Sequence, residues 1–271
     1  MWIVYLFVSI LGTFLLLLFT IAPRRRRNTA PFDHTLYAHR GLHNNNAGVP
    51  ENSIAAFAAA AKAEYGVELD VQLTADRQVV VFHDNDLKRM CGVDKRVDEL
   101  TYAQLQEYSL LDSDQHIPLL SDVLNVLDGA TLLCEFKTMR SYTDTALCEI
   151  TLPLLDGYKG KVCIESFNPF MVRWFRKRAP HYIRGILSKK FTKDETAPFL
   201  RFILSSLVPN FLCRPDFIAY QHTDYKQPFF RLCRLFKPTT IAWTVTTPSD
   251  MTVTKQHFDT IIFEGFSPEN R

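Results

Sequence analysis

An α/β fold, a (β/α)8 TIM barrel preceded by one N-terminal transmembrane helix, is what the 271 residues predict. Short β-rich apolar runs alternate with segments of helical period from about residue 35 onward, and that pattern folds as strands covered by helices. Once one hairpin arm is set aside, eight such units share roughly 240 residues, the usual size of a (β/α)8 barrel. Residues 1–22 carry no charge. At about 1.5 Å per residue, one helix of that length matches a hydrocarbon core of roughly 30 Å.

This first segment lacks the positive leading end and the small-x-small cleavage site of a secretory signal peptide, so it reads as a span. Arg24, Arg25, Arg26 and Arg27 follow at once, in a basic linker over residues 23–34. Basic flanks stay cytoplasmic, which predicts a single-pass protein of the cell (inner) membrane with its 35–271 barrel inside. The formal charge of +2 comes from that run alone: without it 27 basic residues face 29 acidic ones. A basic run beside a span meets anionic lipid head groups, and the barrel shows no basic footprint for nucleic acid. The six cysteines lack any C-x-x-C pair and several interrupt apolar runs. They read as buried thiols of a reducing compartment, not as a disulfide frame or a zinc site.

Strands are expected at 35–40, 67–73, 79–83, 131–137, 161–166, 182–187, 217–221, 240–245 and 260–265. Helices are expected at 53–64, 121–127, 143–155, 171–177, 195–207, 229–236 and 249–257. The five residues Thr74 to Gln78 are too few for a crossover helix, so the second and third strands form a hairpin. With Asp76 and Arg77 as a two-residue turn, Asp70 lies opposite His83, and a one-residue shift would still leave the two neighbours. The stretch 85–118 holds no barrel strand and reads as a small insertion near the mouth.

Chemistry in such barrels sits at the carboxyl ends of the strands. His39 and Arg40 end the first, Glu68 and Asp70 the second, and Glu135 with Lys137 the next barrel strand. Alternation puts Glu68 and Asp70 on one face, and likewise Glu135 and Lys137. Three converging carboxylates repel one another unless a cation sits among them, and oxygen-only ligation suits Mg2+ or Ca2+ without choosing between them. His39 and His83 fit a general acid and base, while Arg40 and Lys137 add fixed positive charge. The sum describes a pocket for a phosphodiester. Paired carboxylates also serve glycosidases, the competing use of this barrel. Ser53 reads as a helix N-cap, and Trp243 as mouth-lining or as packing. His34, His43, His116, His181, His222 and His257 show no spacing that demands a function.

HRG (39–41), PENS (50–53), ELDVQLT (68–74), VVVFHD (79–84), LKR (87–89), CEFK (134–137), ESFNP (165–169), AWTV (242–245) and IIFEG (261–265) together resemble the glycerophosphodiester phosphodiesterases, over nearly all of 35–265. The resemblance implies metal-dependent hydrolysis of glycerophosphodiesters to glycerol 3-phosphate and an alcohol. It makes His39 and His83 the acid–base pair, Glu68, Asp70 and Glu135 the metal ligands, and Arg40 and Lys137 the phosphate contacts. It also implies attack on phosphorus by the glycerol 2-hydroxyl and opening of the cyclic phosphate by water. A lysophospholipase D acting on membrane lysophospholipids is the alternative, and a non-catalytic membrane scaffold is disfavoured because every transferred residue is present. Two departures, the short link Tyr65 to Val67 and Glu264 where relatives carry Asp or Asn, are expected to touch none of these residues. The leaving alcohol and the oligomeric state stay open.

Overall fold

The computed structural model describes residues 1–24, 32 and 35–269. Its strands are β1 (Tyr37–Ala38), β2 (Gly66–Leu73), β3 (Val79–Val81), β4 (Leu132–Phe136), β5 (Val162–Ser166), β6 (Ile183–Ser188), β7 (Phe217–Gln221), β8 (Thr239–Val245) and β9 (Thr260–Phe263). All but β3 pair in parallel, and β9 returns to β1 to close an eight-stranded barrel. Four of the covering helices, Pro169–Arg178, Pro198–Ser205, Pro228–Cys233 and Pro248–Thr254, begin on a proline. A proline there gives up an amide that the first turn leaves unpaired anyway. This sets helix starts one to three residues from those expected.

Alternation divides each strand between two cores. On β4, Leu132, Cys134 and Phe136 pack under the helices with Val67, Leu69, Phe57 and Phe175. Leu133 instead points inward with Tyr37, Cys163, Phe217 and Ile262, and Phe32 joins this inner cluster. A strand buried on both faces reads as an unbroken apolar run, which is why Glu68, Asp70 and Glu135 stood out.

The hairpin register differs from expectation. Val71 faces Val81 and Leu73 faces Val79, so Asp70 stands opposite Phe82 and His83 lies one residue further on. The turn holds three residues, Ala75 to Arg77, because Arg77 adopts φ 62° and Thr74 N–H donates to Gln78 O at 3.0 Å. A type I turn closed by a left-handed residue makes this longer loop. The 85–118 insertion packs Leu87, Met90, Val97, Leu105, Leu110 and Ile117 against Val80 and Phe82, a small core of its own.

The first helix, Trp2–Ile21, has a mean hydropathy of 2.5 over its most apolar window and is long enough to cross a bilayer. Most of its side chains are exposed, but its last turn docks on the barrel. Ile21 is buried; Asn210 Nδ2 donates to Ile21 O at 2.8 Å, and Arg214 donates to Phe19 O and Ala22 O at 2.8 and 2.7 Å. These bonds satisfy carbonyls that a helix end leaves unpaired, with a cation at the negative end of the dipole. Arg24 pairs with Asp216 at 3.4 Å. Arg25, Arg26, Arg27 and His34 lie outside the described residues.

Candidate active site

Parallel register brings the acids together. Asp70 on β2 lies beside Glu135 on β4, and Glu135 beside Glu165 on β5. Glu68, Asp70 and Glu135 are all buried, and each offers one oxygen within 4.8 Å of the others. Ion–oxygen bonds of about 2.0–2.6 Å hold ligands no further apart than about 5 Å, so the donor set fits Mg2+ or Ca2+. Asp70 Oδ1 makes no well-directed hydrogen bond among the described residues, its one close contact being the ion pair with Lys137 at 3.3 Å. Burial, with the charges of Asp70, Glu135 and Glu165, pushes the Glu68 carboxyl well above the usual carboxylate range. Burial raises Glu135 against the pull of Lys137. Asp70 moves the opposite way: burial would raise it, but Lys137, His83 and Arg40, with the Asn52 hydrogen bond, hold it low. A divalent cation among the three would favour the ionised form of each.

Lys137 Nζ stands 2.9 Å from Glu135 and 3.3 Å from Asp70. Arg40 reaches Glu51 at 2.6 Å and Asp70 at 3.5 Å, while its backbone N–H donates to Glu68 at 3.1 Å. Arg40 sits at φ 54°, an uncommon conformation for a non-glycine residue. The next residue explains the turn, because a side chain on Gly41 (φ 84°) would meet the Ala56 backbone at 2.8 Å. The HRG turn thus passes flush against helix Ile54–Lys62, whose N-cap is Ser53, as its sequence suggested.

Each imidazole is held through Nδ1. His39 Nδ1 lies 2.5 Å from Glu264 Oε2, leaving Nε2 toward Glu68 at 3.9 Å. His83 Nδ1 lies 2.6 Å from Asp84, which Arg89 grips at 2.7 Å while also bonding Glu51. Burial lowers the His39 pKa, against the opposing pull of Glu264. A ring with Nδ1–H donating to a carboxylate presents a lone pair on Nε2, the form that accepts a proton. Trp243 is half-buried against the inner core and packs edge-on to Phe167 at 5.6 Å. All eight residues singled out in the sequence are therefore at or beside one end of the barrel.

Residues 39–264 match the family model described as glycerophosphoryl diester phosphodiesterase family. The chain belongs to that family. A glycerophosphodiester phosphodiesterase of Caldanaerobacter subterraneus is 32% identical over 55% of this chain and 65% of its own length. A human lysophospholipase D is 34% identical over 46% of this chain and 43% of its own. The chain thus spans less than two thirds of these relatives. Among solved structures, an Oleispira antarctica phosphodiesterase in complex with the product sn-glycerol-3-phosphate superposes with a TM-score of 0.70, at 20% identity, covering 86% of this chain and 94% of that one. A Thermotoga maritima glycerophosphodiester phosphodiesterase gives 0.64 at 24% identity, covering 85% and 94%. Such likenesses agree with the barrel.

Several family-motif residues escaped the sequence reading. Glu264 does touch a site residue, because closure of the barrel sets β9 beside β1. Glu51 and Asn52 of PENS, Asp84 of VVVFHD and Glu165 of ESFNP all line the cluster; Asp84 follows His83 directly, whereas Glu165 comes beside Glu135 only across the sheet. His43 lies 3.7 Å from Glu264 with a nearly buried ring. Neither its spacing nor its neighbours in the chain signalled that.

Proposed function

We propose that the chain is a metal-dependent phosphodiesterase that cleaves glycerophosphodiesters to glycerol 3-phosphate and an alcohol, with His39 and His83 as the acid–base pair. The observation that carries this reading is the pair of imidazoles, each held at Nδ1 by a carboxylate, beside three clustered acids. Glu68, Asp70 and Glu135 would hold Mg2+ or Ca2+, which when bound polarises phosphoryl oxygens. Arg40 and Lys137 place positive charge where the phosphate binds. His39, neutral through burial, takes the proton of the glycerol 2-hydroxyl as that oxygen attacks phosphorus. His83 gives its proton to the departing alcohol. Water then opens the cyclic phosphate, with the histidines in exchanged roles, and glycerol 3-phosphate leaves.

The apolar first helix supports a membrane-anchored enzyme, and the arginines after it support a barrel on the cytoplasmic side of the cell (inner) membrane. A second reading, cleavage of lysophospholipids, draws on that anchor and on the human lysophospholipase D among the relatives. Product analysis with glycerophosphocholine and with lysophosphatidylcholine tests both. Glycerol 3-phosphate and choline from the first substrate support the main reading, and cleavage of the lysolipid alone supports the second. No cleavage of either, with Mg2+ or Ca2+ present, ends both.

A further inference from the structure

The outer wall of the barrel beside β6 and β7 is built unlike the rest. Helix Pro198–Ser205 (PFLRFILS) has no fully buried residue; Phe199 is 74%, Leu200 45% and Phe202 55% exposed. Ile203 and Leu204, four residues on from Phe199 and Leu200, share one broad apolar arc with them and are half-buried, so the barrel covers only part of that arc. Soluble barrels cover such helices or give them a polar outer face. Outside the first helix, six of the eight large apolar side chains described as exposed lie between residues 199 and 236, with Phe211, Leu235 and Phe236 completing the set.

This wall is continuous with the seat of the first helix. Phe202 packs its ring 5.8 Å from Phe229 in helix Pro228–Cys233, and that helix receives the Ile21 carbonyl through Cys233. Helix Asn210–Cys213 carries Phe211 and supplies Asn210 to Ile21. Next to it, Arg214 lies over the Phe19 ring at 4.5 Å. Charge follows the same line, since residues 189–237 hold nine basic against four acidic residues in a chain whose total is +2. Exposed aromatics among lysines and arginines are the composition of a surface lying at the head-group level of an anionic leaflet. A second copy offering the same positive face would be repelled from it.

We infer that helix Pro198–Ser205 and the adjoining Phe211, Leu235 and Phe236 form a bilayer-docking face, which lays the barrel wall on the leaflet next to the first helix. This rests on the reading of that helix as a membrane anchor. The helix follows the carboxyl end of β6, so the docking face starts at the rim that carries the acids, with Phe191 and Phe167 between them (ring centroids 6.0 Å apart). Substrate that resides in the leaflet reaches the mouth without crossing bulk water.

The test is site-directed spin labelling of the full chain in vesicles of phosphatidylcholine and phosphatidylglycerol. Labels go at Phe199→Cys and Phe202→Cys, at Leu11→Cys in the first helix, and at Val253→Cys, an exposed apolar site elsewhere on the barrel. Five native cysteines are buried and Cys91 half-buried, so the unsubstituted chain supplies the blank. The labels at 199 and 202 should collide with oxygen over a water-soluble nickel chelate at a ratio several-fold above that at 253, in the same sense as at 11. A lipid-exposed label at 11 with water-exposed labels at 199 and 202 overturns the docking face and leaves the anchor standing. A water-exposed label at 11 removes the anchor, and the docking face with it. Labels at 199 and 202 shielded from both reagents, with crosslinked dimers, give that wall to a second copy and contradict the proposal.

Discussion

The two halves of the barrel break the usual rule of burial in opposite directions. Between residues 39 and 137 ionic groups are inside: Glu51, Glu68, Asp70 and Glu135 are buried, and each meets a cation or a backbone donor. Between 189 and 237 apolar groups are outside, on a stretch with an excess of five positive charges. Both arrangements cost folding free energy, the first through desolvation and the second through exposed apolar area. A buried ionic group is held for something small and charged that enters. An exposed apolar group is held for something large and apolar alongside. The proposed division is that one half does the chemistry and the other sets where it happens.

That division can be broken first at the histidines. His39→Ala and His83→Ala should each lower kcat on glycerophosphocholine by about 10²- to 10⁴-fold, the worth of general acid–base catalysis, with the melting temperature little changed. Near-normal turnover in either variant would make that histidine structural. Glu264→Gln should cost less, roughly 10- to 100-fold, the value of one charge-assisted hydrogen bond that orients a base. Glu264 acts to raise the His39 pKa, so its loss should also shift the acid limb of the kcat/KM profile to lower pH. An unmoved limb would show that Glu264 does not govern the ring.

Smaller effects test the supports. Burial opposes ionisation of Glu51, but Arg89 and Arg40 outweigh it and hold the carboxyl at about 2 instead of 4.5. A pKa depressed in the folded state adds stability above the unfolded value, and that stability is lost as pH falls through the folded one. Glu51→Gln should therefore reduce urea stability at pH 7 by about 1–3 kcal/mol and flatten the decline between pH 4.5 and 2. An unchanged decline would place the acid-sensitive step elsewhere. Smallest of all, deleting residues 1–16 leaves the docked turn in place and should keep turnover of soluble diesters within about twofold, since the site and the anchor are structurally separate. Activity on lysolipid in vesicles should fall further; equal losses on both would count against tethering.

Sequence disclosed most where local rules decide. The eight β/α units, the hairpin and the acids interrupting apolar strands follow from periodicity and loop length, which act over a few residues. The hairpin register failed because Arg77 takes a left-handed conformation without the glycine or asparagine that would signal it. Glu264 was missed for a different reason, since it lies 225 residues from His39 and meets it only when the barrel closes. Asn210 and Arg214, which hold the end of the first helix, are ordinary polar residues until tertiary packing gives them carbonyls to bond.

The claim that the acidic end of the barrel is a metal-dependent phosphodiesterase site is tested most directly by ion removal. Full-length protein would be dialysed against chelator and its turnover of glycerophosphocholine followed before and after return of Mg2+ or Ca2+. The account predicts that activity disappears and returns, together with an ion-dependent rise in melting temperature that Asp70→Asn abolishes. Full activity in excess chelator after dialysis would contradict it.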